Sequence, residues 1–234
     1  MASATMLPTL LTILFSLLLL AGVPALSLWT ARHGQFRQIP RLSLYFSAVL
    51  SQWLLAGLGL PVVLLASRSN LSVFFSTLPL RTLAGWALAL AGAALAVLAA
   101  ELLLERLGWG PVESELVYLL IPQTRAEKLC SLLLVAPTAA LCEEFLYRGY
   151  LLAQLGQWFH SISWAWGVSS AAFGLAHAYQ GWSGMLRAAA LGAMLAYPVV
   201  RLGSLYPSML AHGLIDALAL VWLGPMLLRQ RQTT

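Results

Sequence analysis

The chain has 234 residues, of which 60% are hydrophobic and 9% charged, and its mean hydropathy is +0.83. This composition excludes a water-soluble globular protein, because too few polar residues remain to cover its surface. The formal charge of +5 comes from arginines placed singly along the chain, with Lys128 as the only lysine, and this excludes a nucleic-acid-binding surface. We therefore predict that the chain contacts the lipid bilayer and has no nucleic acid partner.

Apolar runs long enough to cross a bilayer follow one another along the chain, since a transmembrane helix needs about 20 residues. Seven candidate spans cover residues 7–28, 42–66, 82–104, 129–147, 162–178, 185–200 and 205–223. The last stretch, interrupted by Gly224-Pro225, has room for an eighth short segment. The predicted fold is an all-α, polytopic membrane bundle of seven to eight transmembrane helices, placed in the cell membrane.

The arginines predict the orientation of the chain. Arg32, Arg37 and Arg41 lie in the first loop, and Arg229 and Arg231 lie in the C-terminal tail. Because positive residues concentrate in cytoplasmic loops, both regions are predicted to be cytoplasmic and the N-terminus to lie outside.

One long polar connection divides the chain. Acidic and basic residues gather between Glu101 and Lys128, together with prolines. We predict three parts: N-terminal transmembrane helices with the polar loop at residues 1–126, a catalytic helical core at 127–223, and a cytoplasmic tail at 224–234.

Charged residues accumulate at the end of the fourth apolar run, where Glu143, Glu144 and Arg148 occur together. A charge at mid-bilayer costs about 2.5–3.5 kcal/mol, so these three need compensating partners. Glu144 and Arg148 are four residues apart and share a helix face, which predicts an ion pair between them. Glu143 points about 100° away and is left free for chemistry.

Two later runs contain histidines at the same spacing. Phe173 and His177 are four residues apart in the fifth run, and His212 and Asp216 are four apart in the seventh. An acid one turn from a histidine can fix its tautomer or share a ligand with it. Each residue alone has a plainer explanation: an intrahelical ion pair, an interfacial histidine, or a packed aromatic ring. Together, the ionisable groups of three spans satisfy one another only by meeting in a common polar cavity.

Two histidines together with carboxylates can activate water for the hydrolysis of an amide. In one version, Glu143 is the general base while His177 and His212 donate hydrogen bonds to the oxyanion. In the other, His177, His212 and a carboxylate of Glu143 or Asp216 hold a divalent metal such as zinc, which activates the water. The residues leave both versions open.

Three motifs occur in this order, each on its own apolar run: Glu143-Glu144-x-x-x-Arg148, Phe173-x-x-x-His177 and His212-x-x-x-Asp216. Over about residues 127–220 they resemble the motifs of the CPBP membrane endopeptidases. That family includes the type II CAAX prenyl proteases and bacterial relatives linked to bacteriocin processing or self-immunity. The resemblance leaves the first three spans without support.

The resemblance implies an all-helical fold with its site inside the membrane. Its implied roles are water activation by Glu143, completion of the site by His177, His212 and Asp216, and support by Glu144, Arg148 and Phe173. The family often has asparagine where this chain has Asp216, and an ionised aspartate cannot donate a hydrogen bond to an oxyanion. Asp216 would therefore be protonated, orient His212 or bind metal.

The predicted function is hydrolysis of a peptide bond in a membrane-bound, prenylated or unprenylated peptide or protein. Two alternatives remain: a proton- or ion-coupled transporter, because acids and histidines in spans also mark ion pathways, and a non-catalytic scaffold or immunity protein. In a simple zigzag, Glu143 and His177 would lie on opposite sides of the membrane. Bringing them together requires the fourth span to extend toward Gly156.

Overall fold

The computed structural model of the chain describes residues 2–33, 38–66, 72–106 and 115–225, and every regular element within these ranges is helical. The prediction of an all-α fold is thereby confirmed. The helices, numbered in chain order, are α1 (2–33), α2 (Arg41–Ala66), α3 (Ser72–Phe75), α4 (Leu80–Arg106), α5 (Glu115–Leu120), α6 (Arg125–Phe159), α7 (Ile162–Ala176), α8 (Gly181–Leu202) and α9 (Tyr206–Leu223).

Six helices of the described ranges are long and apolar enough to cross a membrane: α1, α2, α4, α6, α8 and α9. The chain is thus an integral membrane protein. Helix α7 coincides with the fifth predicted span, but its 15 residues extend only about 22 Å, less than the hydrocarbon thickness of about 30 Å. The cell membrane and the cytoplasmic tail stay predictions, and Arg37, Arg229 and Arg231 lie outside the described residues.

Helix α6 is longer than the predicted span at both ends. It begins after Thr124, whose hydroxyl accepts from the backbone N–H of Glu127 while the Glu127 carboxylate accepts from the backbone N–H of Thr124. This reciprocal capping fixes the start of the helix. The far end is Phe159, followed by His160 in the left-handed region at φ 50°.

The fourth predicted span ended at Tyr147, before the polar residues, but α6 continues past them because their side chains face the protein interior. Arg148 and Gln154 are both buried within the extended helix. The predicted extension toward Gly156 is confirmed, and it places Glu143 near the middle of the helix. Residues Glu144–Leu151 are π-helical, a widened winding that is frequent at functional sites.

The N-terminal helices pack directly on the C-terminal ones. Phe15 and Leu19 of α1 share a buried cluster with Leu146 and Leu151 of α6. The Tyr150 hydroxyl donates to the carbonyl oxygen of Thr12 at 2.9 Å. A second buried cluster joins α4 to α8 and α9. The division of the chain at residue 127 stays a prediction, since both parts contribute to the same core.

Helices α7 and α8 approach closely at Gly174. A Cβ atom there would lie 2.6 Å from the Cβ of Ala189 and 2.8 Å from the carbonyl oxygen of Met185. Only a residue without a side chain permits this contact, as in other close pairs of membrane helices. Because His177 directly follows α7, the contact also sets the position of that histidine.

Candidate active site

Glu143 lies at the centre of the predicted site, on α6. Its Oε1 accepts a hydrogen bond from Nε2 of Gln52 on α2 at 2.8 Å. Its Oε2 lies 3.8 Å from Nε2 of His177 and 3.9 Å from Nε2 of His212. This oxygen is buried and has no hydrogen-bond partner among the described residues. One carboxylate oxygen is therefore held, and the other faces both histidines.

His177 is positioned by the end of α7. Its Nδ1 donates to the carbonyl oxygen of Phe173, one turn earlier, at 2.8 Å. Because a carbonyl oxygen can only accept, the proton lies on Nδ1, and in the neutral ring Nε2 is an acceptor. The helix end thus fixes both the tautomer and the direction of Nε2, which faces Glu143.

His212 on α9 is held by a carboxylate from a different helix. Its Nδ1 donates to Oε1 of Glu144 on α6 at 2.8 Å. Its Nε2 lies 3.6 Å from Oδ2 of Asp216 and also faces Glu143. One role predicted for Asp216 was to orient His212. The hydrogen bond to Nδ1 that orients the ring comes from Glu144 instead. Asp216 and Glu143 both lie on the Nε2 side of the ring.

The predicted ion pair between Glu144 and Arg148 is confirmed. Nη1 of Arg148 donates to Oε1 of Glu144 at 2.9 Å, and the side chains are 2% and 0% exposed. The Arg148 guanidinium also lies over the Phe173 ring, 4.1 Å from its centroid. That ring in turn contacts the rings of His177 and His212, at centroid distances of 4.6 and 6.1 Å. Phe173 therefore packs between the cation and both histidines.

The structure brings every predicted site residue into one cluster. Three helices, α6, α7 and α9, and the residue after α7 contribute to it. Its members are Glu143, Glu144, Arg148, Phe173, His177, His212 and Asp216. Their mutual contacts explain how these charges are accommodated in apolar spans, and the catalytic and supporting roles remain predictions.

The donor distances can be compared with those of a metal site. Ligands bound to one zinc ion at about 2.0–2.2 Å stand about 3.4 Å apart in tetrahedral geometry. The Glu143 oxygen lies 3.8 and 3.9 Å from the two histidine nitrogens, wider than this value. Within the described ranges, no group of three or more His, Cys, Asp or Glu side chains is arranged to hold a metal ion. The residues as placed do not fit zinc.

Sequence analysis missed Gln52, the residue that holds Glu143. It lies in the second span, 91 residues before its partner and outside the three motifs. One signal was available: Gln52 is the only carboxamide side chain between Leu42 and Ala66. A side-chain amide inside a membrane helix is expected to find a hydrogen-bond partner on another helix.

Comparison with known proteins extends these observations. Residues 125–218 match the family model described as type II CAAX prenyl endopeptidase Rce1-like. This segment is similar to that family, and we call it the Rce1-like segment. The match confirms the resemblance predicted from the three motifs, and it includes all seven clustered residues. No curated protein and no solved structure matches the chain.

At the level of the family, the Rce1-like match supports an intramembrane protease of the CAAX type. The match begins at Arg125, the first residue of α6, and ends at Leu218, within α9. The helices α1 to α5 precede it. Gln52 therefore reaches the site of the Rce1-like segment from a part of the chain that the match does not cover.

Proposed function

We propose that this protein is an intramembrane endopeptidase that hydrolyses a peptide bond of a membrane-associated substrate, with water activated by Glu143. The observation that supports this most strongly is the position of Oε2 of Glu143, which is buried, without a hydrogen-bond partner, and 3.8 and 3.9 Å from the two histidine nitrogens. A carboxylate oxygen with a free lone pair in a protected site is suited to accept a proton.

In the proposed reaction, a water molecule beside Oε2 transfers one proton to Glu143 as its oxygen attacks the substrate carbonyl. The negative charge that develops on the carbonyl oxygen is stabilised by hydrogen bonds from His177 and His212. Each histidine already uses Nδ1 as a donor, so Nε2 donates when the ring is protonated. Glu143 then passes its proton to the leaving amine, which completes the addition of water across the peptide bond.

The surrounding residues hold this arrangement in place. Glu144 and Arg148 fix His212 through the shared Oε1 of Glu144, and Phe173 packs against both histidine rings. Such supporting contacts reduce the rearrangement needed when charge develops in the reaction. The substrate we propose is a membrane-bound peptide or protein of the CAAX class, in keeping with the Rce1-like match.

A reconstitution experiment tests the proposed function. The purified protein in liposomes is given a farnesylated CAAX peptide and its unprenylated counterpart, and the products are identified by mass spectrometry. We expect a discrete internal cleavage that Glu143→Ala abolishes and a zinc chelator leaves intact. Unchanged cleavage by Glu143→Ala would refute the role of Glu143. Loss of cleavage with chelator, restored by added zinc, would replace the glutamate mechanism by the metal version.

A further inference from the structure

The contact between Gln52 and Glu143 joins two parts of the chain that the sequence motifs treat separately. Nε2 of Gln52 lies 2.8 Å from Oε1 of Glu143, within normal hydrogen-bond length. An ionised carboxylate can only accept, so the amide nitrogen of Gln52 is the donor. The hydrogen bond is partly buried and links α2 to the middle of α6.

The direction of this hydrogen bond determines which way the carboxylate faces. With Oε1 held on the α2 side, Oε2 is turned toward Nε2 of His177 and of His212. Without the amide, no hydrogen bond to Oε1 opposes rotation of the carboxylate away from the histidines.

A simpler explanation is that Gln52 only fastens α2 to α6, as polar residues often do between membrane helices. The next residue provides a comparison. Trp53 donates from Nε1 to Oγ1 of Thr138 at 3.1 Å, and this hydrogen bond joins the same two helices without touching the site. Loss of either bond should loosen the helix pair to a similar extent, but only Gln52 contacts the proposed base.

We propose that Gln52 is a positioning residue of the active site, which holds one oxygen of Glu143 so that the other faces the histidines and accepts the proton of water. The inference rests on the proposed function. It also assigns a role in the reaction to the N-terminal helices, because the base is held by a residue outside the Rce1-like segment 125–218.

The test compares Gln52→Met, which keeps an unbranched side chain of similar length but removes the donor, with Trp53→Phe as the matched control. Both variants and the wild type are assayed in liposomes with the farnesylated CAAX peptide. Loss of a hydrogen bond to a charged group corresponds to about 10–100-fold in an equilibrium or a rate. We expect kcat of Gln52→Met to fall by about this factor with KM within about twofold, and Trp53→Phe to keep the wild-type kcat.

A second measurement does not depend on cleavage. Dicyclohexylcarbodiimide modifies protonated carboxyl groups in apolar surroundings, and peptide mass spectrometry reports the rate of modification at Glu143. Because loss of the donor frees Oε1 of Glu143 for the reagent, Gln52→Met should be modified about tenfold faster than the wild type and Trp53→Phe at the wild-type rate.

The outcomes separate the two proposals. Equal modification rates at Glu143 in the wild type and Gln52→Met would overturn the positioning role, as would an equal loss of kcat in Gln52→Met and Trp53→Phe. A wild type that cleaves neither peptide, combined with faster modification of Gln52→Met, would refute the proposed function while the role of Gln52 in holding Glu143 stands.

Discussion

Nδ1 of His212 on α9 lies 2.8 Å from Oε1 of Glu144 on α6, and the same oxygen accepts from Arg148 at 2.9 Å. Two adjacent glutamates on one helix thus have different environments. Glu144 is fully buried between a guanidinium and an imidazole, whereas Glu143 is 15% exposed and keeps one oxygen free of hydrogen bonds. The division into a supporting and a reacting acid follows from these contacts.

Replacement of Glu144 should destabilise the protein. Glu144→Ala leaves Arg148 buried without its anion, and the loss of one partner of a buried ion pair costs about 3–5 kcal/mol. The measurement is thermal unfolding followed by the reaction of the buried Cys142 thiol with a fluorescent maleimide. Glu143→Gln is the control, because an amide at that position leaves the pair of Glu144 and Arg148 intact. An unchanged unfolding temperature for Glu144→Ala would refute the structural role of the pair.

Both site histidines should be needed for turnover. His177→Ala and His212→Ala each remove a nitrogen that faces Glu143, and one hydrogen-bond donor to an oxyanion contributes about 10²–10³-fold to the rate. The control is His33→Ala, since His33 is exposed and stacks on Trp29 away from the site. Cleavage rates of the three variants are compared by peptide mass spectrometry. If either site variant matched His33→Ala, that histidine would have no part in the reaction.

Asparagine should be acceptable in place of Asp216. The side chain lies 3.6 Å from Nε2 of His212, on the same side of the ring as Glu143, where an amide can donate to an oxyanion. We expect Asp216→Asn to keep activity within about tenfold of the wild type and Asp216→Ala, which leaves no polar group beside His212, to lose about 10–100-fold. A kcat ratio between the two variants near unity would contradict a polar role for this position.

The close contact at Gly174 should be sensitive to a single methyl group. Gly174→Ala introduces a Cβ 2.6 Å from Ala189, and such overpacking costs about 1–3 kcal/mol. Gly167→Ala on the same helix is the matched control, because no atom lies within 4 Å of its added Cβ, and it should stabilise the helix by about 0.5–1 kcal/mol. Thermal unfolding of both variants provides the comparison. Equal stability would show that α7 and α8 separate at little cost.

Local patterns in the sequence predicted much of the site. The Glu144–Arg148 pair follows from a spacing of four residues on one helix, and the apolar runs locate the helices within a few residues at most ends. The motifs also place Glu143, His177 and His212 in one site, because buried charges in separate spans must find partners.

Contacts between distant parts of the chain were beyond such reasoning. The sequence paired His212 with its neighbour Asp216, which lies 3.6 Å from Nε2, but it did not predict that Nδ1 binds Glu144, 68 residues earlier. Gln52 was missed for the same reason, since its partner lies on another helix. The apolar run alone underestimated the length of α6, because it ends at charged residues, and only the need to bring Glu143 and His177 together predicted the extension that reaches Phe159. Contacts between different helices determine the partner of His212, the partner of Glu143 and the continuation of α6.

The role of Glu143 as the base is tested most directly by the cleavage rate of Glu143→Gln against the wild type, on the farnesylated CAAX peptide in liposomes. Glutamine keeps the shape of the side chain but cannot take a proton from water. We predict wild-type cleavage at one internal bond and a rate lower by about 10²–10⁴-fold in Glu143→Gln, at an unchanged unfolding temperature. Cleavage by Glu143→Gln at the wild-type rate would contradict the proposed mechanism.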